Sequence, residues 1–161
     1  MGPASARTAS KYNMLSMADT LTPGEELLVL QVGAWRLMVP VRHVVRVAPA
    51  AMPVAVPGGD SARAMLEVAG QLLPVVFGRR LLGEATVTLA AANKVVLLQH
   101  GAQRVALWVD RIDEIDAYTP WKGEVPLSGE VGGFVAGFSA GPPALPVLDG
   151  PALVASAHAV G

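Results

Sequence analysis

AMLEVAGQLLPVVFGRRLL, residues 64–82, holds two short apolar runs, 64–69 and 71–77, hinged on Gly70. Runs of this length bounded by turn residues suit strands buried on both faces, although periodicity alone also admits a buried helix segment. Pro74 argues against a long helix, because its ring clashes with the preceding turn and it has no N–H to donate. Within a sheet a proline belongs at an edge or a bulge. The stretch therefore predicts a bent strand pair crossing the middle of a β fold. A turn follows at Gly78-Arg79-Arg80, and residues 79–82 are long enough for one helical turn stopped by Gly83. Glu67, Gln71, Arg79 and Arg80 are too few and too ordinary to make a catalytic centre.

Working outward, residues 27–32 and 35–39 flank Gly33-Ala34. Two apolar runs around a two-residue loop with glycine first predict a hairpin with a type II′ turn. Residues 94–99 and 104–109 flank His100-Gly101-Ala102-Gln103 and predict a second hairpin. Residues 41–47, VRHVVRV, fit a strand or a short helix by pattern, and their β-branched content favours the strand. Pro49, Pro53, Pro57, Gly58 and Gly59 predict an extended connection, and residues 84–93 fit a strand or a loose link. Residues 134–138 and 144–148 are the last strand candidates. Asp149 stands where its carboxylate can cap a helix over residues 151–157. Many short strands between turns predict an all-β barrel or sandwich class. The two hairpin-led halves suggest two sub-barrels, with no residue-level repeat between them.

With 161 residues the chain can hold one domain with a sizeable core, or two small subdomains sharing one. Apolar residues make up 52% and charged residues only 16%, against about a quarter charged in ordinary domains. That much apolar surface must be buried or must meet a partner. The net charge is −1 with no basic stripe and no acidic tail, so neither nucleic acid nor a strongly basic partner is indicated. There is no cysteine, which removes thiol catalysis, disulfides and cysteine zinc sites. Residues 1–24 lack an apolar signal core and read as a flexible tail before a domain over 25–158. No run approaches the ~20 apolar residues needed to span a bilayer, so a cytoplasmic protein with no direct membrane insertion is expected.

His43, His100 and His158 lie far apart without ligand or triad spacing and read as surface residues. Ser128, Ser139 and Ser156 lack a nucleophile elbow. Asp110, Asp113, Glu114 and Asp116 form the one acidic cluster, which reads as a solvated strand end and turn unless Asp110 pairs with an arginine. The glycines at 129–133 lack the ending of a phosphate loop. Nothing calls for a cofactor or a metal, and a non-enzyme is expected. Of the three tryptophans, Trp35 and Trp108 read as core or barrel-rim residues and Trp121, in a polar turn, as an interface candidate.

The order of these elements resembles the CheW-like domain, the adaptor that couples chemoreceptors to a CheA-type histidine kinase. The pieces that carry the resemblance are Gly33-x-Trp35-x-Leu37-x-Val39-Pro40-Val41 with Val44-x-x-Val47; Val54 to Gly58; Gly70-x-x-x-Pro74-Val75-Val76; Val105-Ala106-Leu107-Trp108-Val109-Asp110; Gly133-Phe134-Val135-Ala136-Gly137; and Pro146-Val147-Leu148-Asp149. The resemblance implies two small five-stranded, SH3-like β-barrel subdomains sharing an apolar core, with a short C-terminal helix. It implies as partners a chemoreceptor cytoplasmic domain and the kinase regulatory domain, the latter met through barrel edges. Carried over by position, Val44, Arg46, Glu67, Ala69 and Gly70 border the receptor side. Arg46 stands where the family usually has Glu, Ala69 where it has Arg, and Phe77 where Asp is common. These departures imply an atypical or accessory coupler with one interface altered. The alternative is a small-ligand binding domain or enzyme on a β-barrel scaffold, which would need a pocket with buried, convergent polar groups.

Overall fold

The computed structural model describes residues 20–58, 61–84, 89–123, 133–141 and 143–159. The chain opens with the hairpin β1 (Glu26–Val32) and β2 (Trp35–Pro40), then a 3-10 turn (Val41–His43) and β3 (Val44–Pro49). β4 (Val54–Gly58), β5 (Ser61–Val68) and β6 (Gln71–Phe77) form a meander that ends in the one-turn helix α1 (Gly78–Leu81). The second half runs β7 (Lys94–His100), β8 (Gln103–Val109), β9 (Arg111–Ala117), β10 (Val135–Ser139), β11 (Leu145–Leu148) and α2 (Gly150–Ala159). The described ladders form a five-stranded sheet, β10-β11-β2-β1-β9, and a six-stranded one, β3-β7-β8-β6-β5-β4.

Three tight turns set the registers. Gly33 at φ +59° and Gly101 at φ +61° each open a two-residue loop whose following alanine keeps negative φ, the φ pattern of a type II′ turn. Between Val68 and Gln71 both loop residues are left-handed, Ala69 at φ +53° and Gly70 at φ +81°, as a type I′ turn requires. Pro74 sits where β6 changes partners. Its pairing with β5 ends at Met65↔Pro74, and the parallel ladder to β8 begins at Val75↔Ala106. A residue without an N–H is tolerated at such a handover.

The first sheet closes on itself and the second curls. β9 and β10 are the outer strands of the first, and the chain just beyond β9 pairs with β10 through the bridge Pro120↔Ser139. Trp121 N–H donates to the Phe138 carbonyl at 3.1 Å and Ala140 N–H to that of Thr119 at 2.6 Å. In the second sheet the outer strands β3 and β4 are consecutive, joined by residues 50–53. That link spans at most about 18 Å, whereas a flat six-stranded sheet would hold its edges about 24 Å apart. The sheet must curl.

Alternate residues of the central strands feed different cores. In β1, Leu27 and Val29 face inside the first barrel with Met38 and Val147, while Leu28, Leu30 and Val32 face the second barrel. In β7 and β8, Val95, Leu97, Ala106 and Trp108 fill the second barrel with Leu66 and Leu73. Val96, Leu98, Val105, Leu107 and Val109 turn to the shared interface, where Leu153 and Val154 of α2 join them. Strands buried on both faces read as unbroken apolar runs. The high apolar fraction of the sequence is thus spent largely on a core between the barrels.

The structure revises several readings. His43 is buried, not exposed, and its ring lies against Gly150, where an added Cβ would come within 3.0 Å of it. The acidic segment after Asp110 is a full strand, β9, paired along β1. Residues 41–47 divide into the 3-10 turn and β3. Residues 79–82 do form a helical turn, begun one residue earlier at Gly78. Of the expected tail, residues 1–19 lie outside the described residues, as does most of the 126–133 loop. Leu21 packs against the first barrel's core, and Gly24 N–H donates to the Tyr118 carbonyl at 2.8 Å. Trp108 is core and Trp35, 42% exposed, is rim.

Candidate functional site

The residues picked out for the receptor side come from two distant stretches, and the ladders bring them to one end of the second barrel. Val44 pairs with Leu98 and Arg46 with Leu97, near the end of β7. Gln99 and His100 follow and turn into Gln103 and Arg104 of β8. The parallel register of β6 on β8 places the Ala69-Gly70 turn and Gln71 at that same end. Arg104 ties the strands together: its Nε donates to Gln99 Oε1 at 2.8 Å and its Nη1 reaches Gln71 Oε1 at 3.5 Å. His158 Nε2 lies 2.7 Å from the Arg104 carbonyl, so the end of α2 arrives there too. Val44 also packs on the shared core, placing this end beside the seam between the barrels.

Glu67 is exposed and pairs with exposed Leu72 on the outer face of β5–β6, since the intervening Leu66 and Leu73 point inward. Arg46 is exposed on the face of β3 that it shares with Leu97, and no ion pair or hydrogen bond holds it among the described residues. A bulge between Val44 and Arg46 leaves Val45 as an extra residue, 40% exposed. Beside the 3-10 turn, an open groove of about 630 Å³ lies between Thr20, Thr22, Glu25, Glu26, Val41 and Arg42. In it Arg42 Nε donates to Glu25 Oε2.

At the other side of the molecule the two barrels are clasped. Arg79 of α1 holds Asp110 with two bonds, Nη2–Oδ2 at 2.6 Å and Nε–Oδ1 at 3.1 Å, and reaches Glu84 at 3.2 Å. Asp110 Oδ2 also accepts from Gly33 N–H at 3.0 Å, in the β1–β2 turn of the first barrel. Asp110 is therefore structural, the arginine pairing weighed for it in the sequence. Asp113 is held below the usual carboxylate range, chiefly by the hydrogen bond from Arg111.

A second groove, about 800 Å³, runs from Trp35 and Met38 to residues 139–141 and 143–146. Its charged lining, Arg36 and Asp116, is exposed. The buried polar side chains with assigned bonds, Ser139 of this groove among them, serve the fold. Asn93 Oδ1 accepts from Trp108 Nε1 at 2.9 Å, Ser139 Oγ from Thr119 N–H at 3.1 Å and Asp149 Oδ1 from Ala152 N–H at 3.0 Å. Among the described residues no three His, Asp or Glu side chains converge as metal ligands. No described helix is long and apolar enough to cross a membrane. Trp121, 40% exposed, stands on the segment that closes the first barrel, away from the receptor-side residues in the ladder order.

The family model for the CheW-like domain matches residues 26–158. The chain belongs to the CheW-like domain family. Proteins of this family are non-catalytic scaffolds, and the role of this one is that of an adaptor or scaffold in chemotaxis signalling. Among solved structures the fold is similar to that of the scaffolding protein TtCheW from Thermoanaerobacter tengcongensis, with a TM-score of 0.64 at 14% identity, over 78% of this chain and 88% of that one. No curated protein matches the sequence. Arg104 is the residue at the candidate end that sequence reasoning missed. Its facing position to Gln99, one pair in from the Gly101 turn, was the available signal.

Proposed function

We propose that this CheW-like protein is a cytoplasmic coupler that joins a chemoreceptor's cytoplasmic domain to the regulatory domain of a CheA-type kinase, with an altered receptor side. The observation that carries the reading is the gathering of Val44, Arg46, Glu67, Ala69 and Gly70 at one end of the second barrel, beside the seam between the barrels. Two of these positions depart from the family's pattern in charge: Arg46 replaces a carboxylate and Ala69 replaces a guanidinium. Losing the five-donor fork and reversing the facing charge changes what surface the site accepts. The kinase side falls to a strand edge. The first barrel is closed by its bridge, whereas β4 bonds only to β5 among the described residues, and an uncovered edge offers backbone donors and acceptors to another β domain.

Calorimetry tests this with the full chain against the receptor cytoplasmic domain and the kinase regulatory domain encoded nearest to it. Binding to both is the expected result. Binding to the kinase domain alone would overturn the coupler reading and leave an accessory subunit without a receptor side, and binding to neither would overturn the adaptor reading as well.

A further inference from the structure

Among the described residues, the open end of the second barrel is a cationic site without a counter-charge. Arg46 and Arg104 lie on one face of the sheet. Arg46 pairs with Leu97 and Arg104 with Gln99, and Leu97 and Gln99 are alternate residues of β7. Their Cα atoms are separated by two strand spacings and a two-residue offset, about 12 Å on a flat sheet and less on a curled one. Two arginine side chains can converge across that gap on one small anion. Arg104 spends Nε and Nη1 on the neutral amides of Gln99 and Gln71, which aims its guanidinium and leaves Nη2 without an assigned partner. Arg46 has its whole donor fork free among the described residues. His100 and the end of α2 at His158 lie at the same end.

Among the described residues, the nearby carboxylates do not neutralise this pair. Glu67 points to the opposite, outer face of β5, and Glu25 in the first barrel is engaged by Arg42. A guanidinium held by neutral groups and a second left open make a site that is complete only when an anion arrives. Val45, lifted out of the ladder by the bulge, supplies exposed apolar surface next to Arg46.

We propose that this end binds a protein segment presenting a carboxylate to Arg46 and Arg104 together, with an apolar side chain of the same segment against Val45. The inference rests on the coupler reading and deepens it: the chain selects a receptor whose contacting tip carries an acid where Arg46 meets it. A tip that presents a cation there is rejected, because facing like charges oppose docking.

The test is calorimetry of the full-length chain with the receptor cytoplasmic domain, for wild type, Arg46→Glu, Arg46→Lys and Arg104→Gln. Circular dichroism melting verifies that each variant is folded. The expected result is a loss of at least about tenfold for Arg46→Glu and a change within about threefold for Arg46→Lys. Arg104→Gln should weaken binding and flatten its salt dependence. Changing the receptor tip's acids to amides one at a time should find one whose loss weakens wild type but not Arg46→Glu. Arg46→Glu and Arg104→Gln binding as tightly as wild type would overturn the inference and leave the coupler reading standing. A wild-type chain that does not bind the receptor would overturn both.

Discussion

Ala69 is the clearest case of one residue carrying a conformational cost. It holds φ +53° in a turn whose other member, Gly70, adopts positive φ freely. A left-handed alanine costs about 1–2 kcal/mol, and glycine gives back about 0.4–1 kcal/mol through its looser unfolded chain. Ala69→Gly is expected to stabilise the protein by about 0.5–1 kcal/mol in urea denaturation, and a loss of stability would contradict the turn geometry. Tyr118 is legible in a different way. Burial against the first barrel's core raises its phenol pKa above 10.0. The folded state then keeps the proton to higher pH than the unfolded chain does. The stability this represents is complete below pH 10 and is lost as pH rises through the folded-state pKa. Tyr118→Phe should remove that part of the alkaline decline, checked by comparing urea midpoints on the two sides of pH 10. None of this could be read at His43. A histidine among valines carries no local mark of burial, and its place under Gly150 depends on where α2 docks.

The elements divide by how much of their stability is local. The hairpins β1–β2, β5–β6 and β7–β8 were legible because each has a two-residue turn with glycine between apolar runs, and turn geometry fixes register. α2 was legible from Asp149, whose carboxylate accepts from Ala152 N–H at 3.0 Å. Asp149→Ala should cost about 1–2 kcal/mol, read as a lower denaturation midpoint. The cost falls on the whole fold, because Leu153 and Val154 of the same helix fill the shared core. β9 was not legible. Its sequence RIDEIDA is mostly charged and exposed, so nothing in its own composition favours a strand. Pairing with β1, and the Arg111–Asp113 and Arg36–Asp113 ion pairs along it, hold it in place.

At the scale of the whole molecule, the largest buried cluster belongs to neither barrel alone. Neither half can unfold without exposing it, so unfolding should be a single transition. Leu107, 1% exposed at the centre of β8, tests this. Leu107→Ala is expected to cost about 2–5 kcal/mol. The midpoint should fall equally by the fluorescence of Trp108, inside the second barrel, and by that of Trp121, on the first. Two separated transitions would show that the barrels fold independently.

What the sequence by itself determined is the inventory: an all-β chain, its three glycine turns, its capped final helix, its lack of catalytic constellations and its resemblance to an adaptor family. Those features are written in single residues or in neighbours a few positions apart. Only the tertiary structure decided which apolar residues of β1, β7 and β8 face inside a barrel and which face between barrels. Only it decided that Pro120 closes the first sheet on Ser139, and that Arg79 clasps Asp110 across the seam. It also decided that Arg46 and Arg104, far apart in the chain, share one face of one barrel end. Each of these depends on pairing between distant strands, which is selected by how much apolar surface the two sheets can bury together.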